Sequence, residues 1–296
     1  MDDFTPVRIT STTSDVTVKQ YDWMADSIEP KTKVTYPEEG ALVNHEDGKL
    51  VLSNESSEGL TAEIPMKSPL SVKCSGYAGV SVSGHEADLD VRAEHGSCFL
   101  DRVKSSSTTV ISKGDVNLNS IVSNVSVLTA GSVRAKKIQG ETVTISTVNG
   151  DIHIQSLYAP NSRIFGKYGG VKVDNLHGNC NIVSGSGDVT IGSSKDNLEI
   201  KARGGAVTVT LQDIERRVLI ESFGGPVKLY MSDEVCGKAM LSIQSSGKAE
   251  VTDEVQMKVN ANDKATALVK VMAYGGPVFV ARSAGWGENI WSKLEP

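Results

Sequence analysis

Along most of the chain, apolar and polar residues alternate with a period of two, and glycine-bearing corners interrupt the alternation at near-regular intervals. The segments TVTISTVNGDIHI, NSRIFGKYGGVKV, CNIVSGSGDVTI, LEIKARGGAVTV and VLIESFGGPVKL follow one another between residues 142 and 229. Each is a strand, a corner and a second strand. With the residue before the second strand as an anchor, the series runs Ala78, Gly96, Gly114, Gly131, Gly150, Gly169, Gly187, Gly205 and Gly225, spaced 17 to 20 residues apart. Self-similarity at a near-fixed period marks a stacked-repeat architecture.

The columns that this period defines are more informative than the period itself. Two residues after the anchors stand Val80, Cys98, Val116, Val133, Ile152, Val171, Val189, Val207 and Val227; four after stand Val82, Leu100, Leu118, Ala135, Ile154, Val173, Ile191, Val209 and Leu229. Both columns are predicted to face a dry interior. The column between them holds Ser81, Phe99, Asn117, Arg134, His153, Lys172, Thr190, Thr208 and Lys228, and is predicted to face outward. Ahead of the corner, Ile145, Ile164, Ile182, Ile200 and Ile220 continue the inward pattern, and Val103, Ile121, Ile138, Leu157 and Leu176, seven after an anchor, suggest a short closing side.

One such coil has no means of burying its own apolar face, so neighbours above and below must cover it. The expected fold is therefore all-β: a single-stranded parallel β-helix, or β-solenoid, with coils of about 18 residues. Residues 1–69 are expected to form a β-rich N-terminal cap that includes a degenerate first coil, in which Val7, Ile9, Val16 and Val18 flank Ser14. Residues 70–230 form the regular solenoid. Residues 231–296 hold irregular final coils around Gly247 and Gly276 and a C-terminal cap, with an excursion at 252–268 that contains the alternating stretch Val255 to Val259. Trp286 and Trp291 are read as a lid over the last coil, because an uncovered solenoid end exposes unpaired strand edges.

Composition narrows the function. The formal net charge is −6, which argues against a nucleic-acid partner. No apolar run approaches a membrane span, and the first residues resemble neither a secretory signal nor a presequence. Cys74, Cys98, Cys180 and Cys236 are scattered, and two of them fall in inward columns, so a reducing, intracellular location in cytoplasm or organelle matrix is expected.

The search for chemistry returns little. Gly185-Ser186-Gly187 lacks the lysine and the following helix of a phosphate-binding loop. Asp115, Asp151 and Asp188 share a column but stand two coils apart, about 9–10 Å at the usual strand spacing, and read as turn formers rather than a catalytic pair. His45, His85, His95, His153 and His177 fall in different columns, so neither a metal site nor a cofactor is expected. One outward constellation stands out: Arg134, His153 and Lys172 occupy one column on three successive coils and form a candidate basic strip for an anionic partner or glycan.

The coils of GDVTI type, together with the lead-in from Leu60 to Val72 (LTAEIPMKSPLSV), resemble the adhesin-like family of β-solenoid domains found in bacteria and in some animal proteins. The resemblance spans roughly residues 5–280. It implies a parallel β-helix-like fold and no established enzymatic activity, and it supplies no catalytic residues to carry over. The expected function is a non-enzymatic scaffold that presents flat faces to a partner, a protein in the first instance and a glycan in the second. The alternatives are a carbohydrate-active enzyme of solenoid type and a polymer assembled end to end.

Overall fold

The computed structural model describes residues 6–12, 14–21, 33–35, 41–46, 49–54, 60–65, 67–260 and 265–283. The chain divides into two compact units, Met1–Ala159 and Pro160–Pro296. Each is a stack of parallel β rungs.

In the first unit the strands Cys98–Ser112 and Val116–Thr129 run side by side, with Cys98 opposite Val116, Leu100 opposite Leu118 and Val103 opposite Ile121. Val116 in turn faces Val133, and Val133 faces Ile152. Residues of one sequence column therefore lie over one another. The nine residues of each of the two inward columns after the corner are all buried, as are the aliphatics ahead of it. Each valine, leucine and isoleucine among them contributes on the order of 1.5–3 kcal/mol on leaving water. Where neighbouring coils differ in length the ladder takes up the slack locally: the register shifts between Lys104 and Ser107, close to Arg102 in the left-handed region at φ 51°.

The rungs do not follow sequence order at the end of this unit. Val7–Ser11 lies between Lys49–Asn54 and Leu70–Cys74, and Val16–Tyr21 lies between Leu60–Pro65 and Val80–His85. The degenerate first coil is thus an inner rung, and Lys49–Asn54 and Leu60–Pro65 form the outer one. Antiparallel strands Ala41–Glu46 and Lys33–Thr35 pair with that outer rung. Covering an edge in this way is what an end cap must do.

The second unit repeats the arrangement. Val171, Val189, Val207 and Val227 stack in sequence, but the next residue over Val227 is Val278, and Ala249 lies beyond it. The strands Ala267–Ala273 and Val278–Arg282 sit inside, and Ala239–Ser245 and Ala249–Val251 outside. The two outer strands pair on one side only among the described residues. Accordingly Leu241, Ile243 and Val251 are only half-buried, whereas Val269, Val271 and Val280 are fully so.

Two short helices interrupt the strands of this unit, the second within the expected excursion at 252–268. α1 (Asp233–Lys238) is capped by Ser232, whose Oγ accepts the Val235 N–H at 3.2 Å. α2 (Asp253–Asn260) carries acids in its first turn and Lys258 in its last. The stretch Val255–Val259, read from its alternation as extended, is therefore helical: Val255 is buried and Met257 exposed. Asp233 accepts hydrogen bonds from Lys258 and Arg282, which tie α1, α2 and the inner rung together. The expected tryptophan lid at 286–291 lies outside the described residues. No helix among those described is long and apolar enough to cross a membrane.

Candidate functional site

The outward column of the first unit places Phe99, Asn117, Arg134 and His153 opposite one another on four successive rungs. Two residues further along each strand follow Asp101, Asn119, Lys136 and Gln155. Asn117 is shorter than Phe99 and Arg134 on either side of it, and Asn119 is shorter than Lys136. A hollow of about 310 Å³ results, floored by Leu118 and Ala135 and walled by Phe99, Arg134, Lys136, His153 and Gln155. Phe99 is 46% exposed, so its ring stands at the rim rather than in the core.

The charged residues that line the hollow, Arg134 and Lys136, are both basic, with the carboxylates of Asp101 and Asp115 beside them. Arg134 Nη1 lies 3.6 Å from Asp115 Oδ2, a long and exposed pair of small energetic weight. Lys136 has no carboxylate partner among the described residues. Asn119 donates to Asp101 Oδ1 at 2.5 Å, and its own oxygen has no donor among the described residues. Of the three residues in the predicted basic strip, Arg134 and His153 meet here. Lys172 belongs to the second unit, opposite Thr190 and 3.3 Å from Asp174.

The acidic column has a different task. Asp115 Oδ1 accepts the backbone N–H of Ser132 at 2.8 Å, and Asp188 Oδ1 that of Ala206 at 2.7 Å. Asp15 does the same for Gly79 at 2.7 Å. Each carboxylate braces the equivalent corner of the adjacent rung. The corners pack so closely that a Cβ on Gly225 would lie 1.7 Å from the Gly205 carbonyl oxygen, and one on Gly187 2.2 Å from that of Gly169. Glycine is required there by approach distance, which leaves no cradle for a phosphate.

Buried hydroxyls complete these corners. Ser184 Oγ donates to the Gly187 carbonyl at 2.7 Å, and Ser222 Oγ to that of Gly225 at 2.8 Å. Sequence reasoning passed over this column, although a small residue two or three positions before each anchor is its visible signal.

The remaining reactive groups are not assembled for chemistry. The four cysteines are free and buried; burial pushes the thiols of Cys74 and Cys180 up to about 12 and that of Cys98 to about 11. Among the described residues no three His, Cys, Asp or Glu side chains converge on a metal-sized point. His95 packs against Tyr77 with the rings tilted and their centroids 5.2 Å apart, and the side chain of His45 lies outside the described ones. His85, however, takes an interior position opposite Val103, is 2% exposed, and has no partner for Nε2. Burial lowers its pKa to about 4, against a weaker opposing pull from Asp88. Its position seven residues after Ala78 was the available signal.

Comparison with solved structures gives one distant match, the crystal structure of a "putative cell adhesion protein" from Clostridium sporogenes. It is 8% identical over 95% of each chain, with a TM-score of 0.15, and carries no argument at that score. The family comparison is informative: the model for Toastrack DUF4097 matches residues 4–252, well over half of the chain and most of both units' described rungs. The chain belongs to the Toastrack DUF4097 family.

Proposed function

We propose that this protein is a non-enzymatic interaction scaffold that holds an anionic partner against the outer face of its first unit. The observation that carries the proposal is the hollow over Asn117 and Asn119, flanked by Arg134, Lys136 and His153 and lined by no carboxylate. A solenoid fixes such a surface rigidly, because Phe99, Asn117 and Arg134 project from rungs whose backbone is paired on both sides. Two of the three corner aspartates that a hydrolase would need, Asp115 and Asp188, are engaged with backbone amides instead, which supports a binding role over a catalytic one.

The test is affinity capture from the native source with the triple variant R134E/K136E/H153E beside the unaltered protein. Loss of a specific partner from the variant is expected, with retention by a control reversed at Lys228, which lies in the second unit. Identical capture by all three proteins would remove the proposal.

A second reading has its own support. The outer strands of the second unit keep one unpaired edge among the described residues, beside a hollow of about 490 Å³ lined by Leu241, Ile243, Val251 and Val259. Such an edge suits end-to-end association of copies. Sedimentation that stays monomeric at high concentration would dispose of it.

A further inference from the structure

We infer that the hollow of the first unit is a binding site for an acidic oligosaccharide, free or carried on a glycoprotein; the inference rests on the scaffold reading and specifies its ligand. The first argument is what this surface lacks. The backbone of the rungs at Cys98, Val116 and Val133 is paired to neighbours on either side. An extended peptide finds no main-chain hydrogen bonds here of the kind that strand addition requires. Recognition falls to side chains alone.

Those side chains match a sugar. Asn117 is half-buried and its side chain makes no hydrogen bond to another described residue, so its amide offers a donor and an acceptor side by side, as a pair of vicinal hydroxyls needs. The side-chain oxygen of Asn119 stands beside it. Phe99 offers an exposed apolar ring at the rim, a surface for the C–H face of a pyranose. Arg134 and Lys136 supply positive charge to a uronate or sulfate group, and the Arg134–Asp115 contact of 3.6 Å is long enough to be exchanged cheaply.

The spacing agrees. Phe99 and Arg134 are two rungs apart, about 10 Å at a strand separation of some 4.8 Å, which is about the length of a disaccharide. A chain of sugars lying along the stack would meet one rung with each residue: ring on Phe99, hydroxyls over Asn117, acid group at Arg134. His153 extends the same line by one more rung.

The experiment is titration calorimetry with a tetrasaccharide of galacturonic acid, its neutral galactose counterpart, and a glutamate peptide of equal charge. The uronate is expected to bind, with the neutral sugar and the peptide at least tenfold weaker. R134E/K136E should weaken uronate binding thirtyfold or more. F99A, which leaves every charge in place, should weaken it about tenfold. Absence of uronate binding overturns the inference, and so does uronate binding that the peptide equals and F99A leaves unchanged, since the face would then be a plain cationic patch. Should the sugar fail while the triple reversal still loses a captured partner, the scaffold reading stands and only the ligand assignment falls; failure of both removes both.

Discussion

Asp188 holds Ala206 in place: its Oδ1 accepts the Ala206 backbone N–H at 2.7 Å, across 18 residues of sequence and a single rung of structure. The same bond recurs between Asp115 and Ser132. It bridges the corner, where the strand ladder is interrupted and amides would otherwise have only water. D188A should therefore cost about 1 kcal/mol, and D188N, which keeps an acceptor oxygen, distinctly less. Urea denaturation of the two variants measures the difference; equal losses would mean that the carboxylate acts by charge rather than as an acceptor.

The glycine corners give a sharper contrast. At Gly225 an added methyl would meet the Gly205 carbonyl at 1.7 Å, and backbone is unable to yield as a side chain does. G225A should lose more than about 3 kcal/mol or fail to fold. Gly237, inside α1, has nothing within 4 Å of its Cβ position, so G237A should stabilise by about 0.5–1 kcal/mol through helix propensity. Thermal melts of the pair test whether crowding or conformation sets the need for glycine.

His85 predicts acid sensitivity. Its pKa is about 4 in the folded chain against an ordinary 6.5, so the unfolded chain binds the proton more readily. Stability from this group is complete above pH 6.5 and falls as pH drops toward 4, by up to roughly 3 kcal/mol. H85L places in this column the residue type already present at Leu157 and should flatten that part of the profile. Urea midpoints between pH 7 and 4 read the effect; a variant that follows the wild-type curve would show that other groups control it.

Much of this was legible in the sequence because a repeat displays each side-chain environment several times. Val116, Val133 and Ile152 announce one column, and the structure stacks them in it. Rung order was not legible. Leu50 and Leu52 satisfy the inward columns as well as Leu70 and Val72 do, and Val7 and Ile9 pair with both sets; aliphatic rungs are interchangeable, so connections rather than columns decide which lies outermost. The helix at Asp253–Asn260 was hidden because Val255, Met257 and Val259 fit a strand's alternation as readily as a helix's single buried turn. At the candidate site, the pairing of Arg134 with His153 could be read directly, whereas the hollow depends on side-chain length: short Asn117 between long Phe99 and Arg134.

The register that builds the binding face is open to one direct measurement, the disulfide formed by R134C/H153C under mild oxidation. Arg134 and His153 are opposite partners in adjacent parallel strands, and such Cα atoms lie about 5 Å apart, within the range a disulfide spans. The native thiols are buried and held protonated, so they do not compete. Rapid, near-complete cross-linking of R134C/H153C is predicted, with little from R134C/Q155C, whose positions are offset by two residues along the strand. Equal yields, or a higher yield from the offset pair, would contradict the register and with it the face on which the proposed function stands.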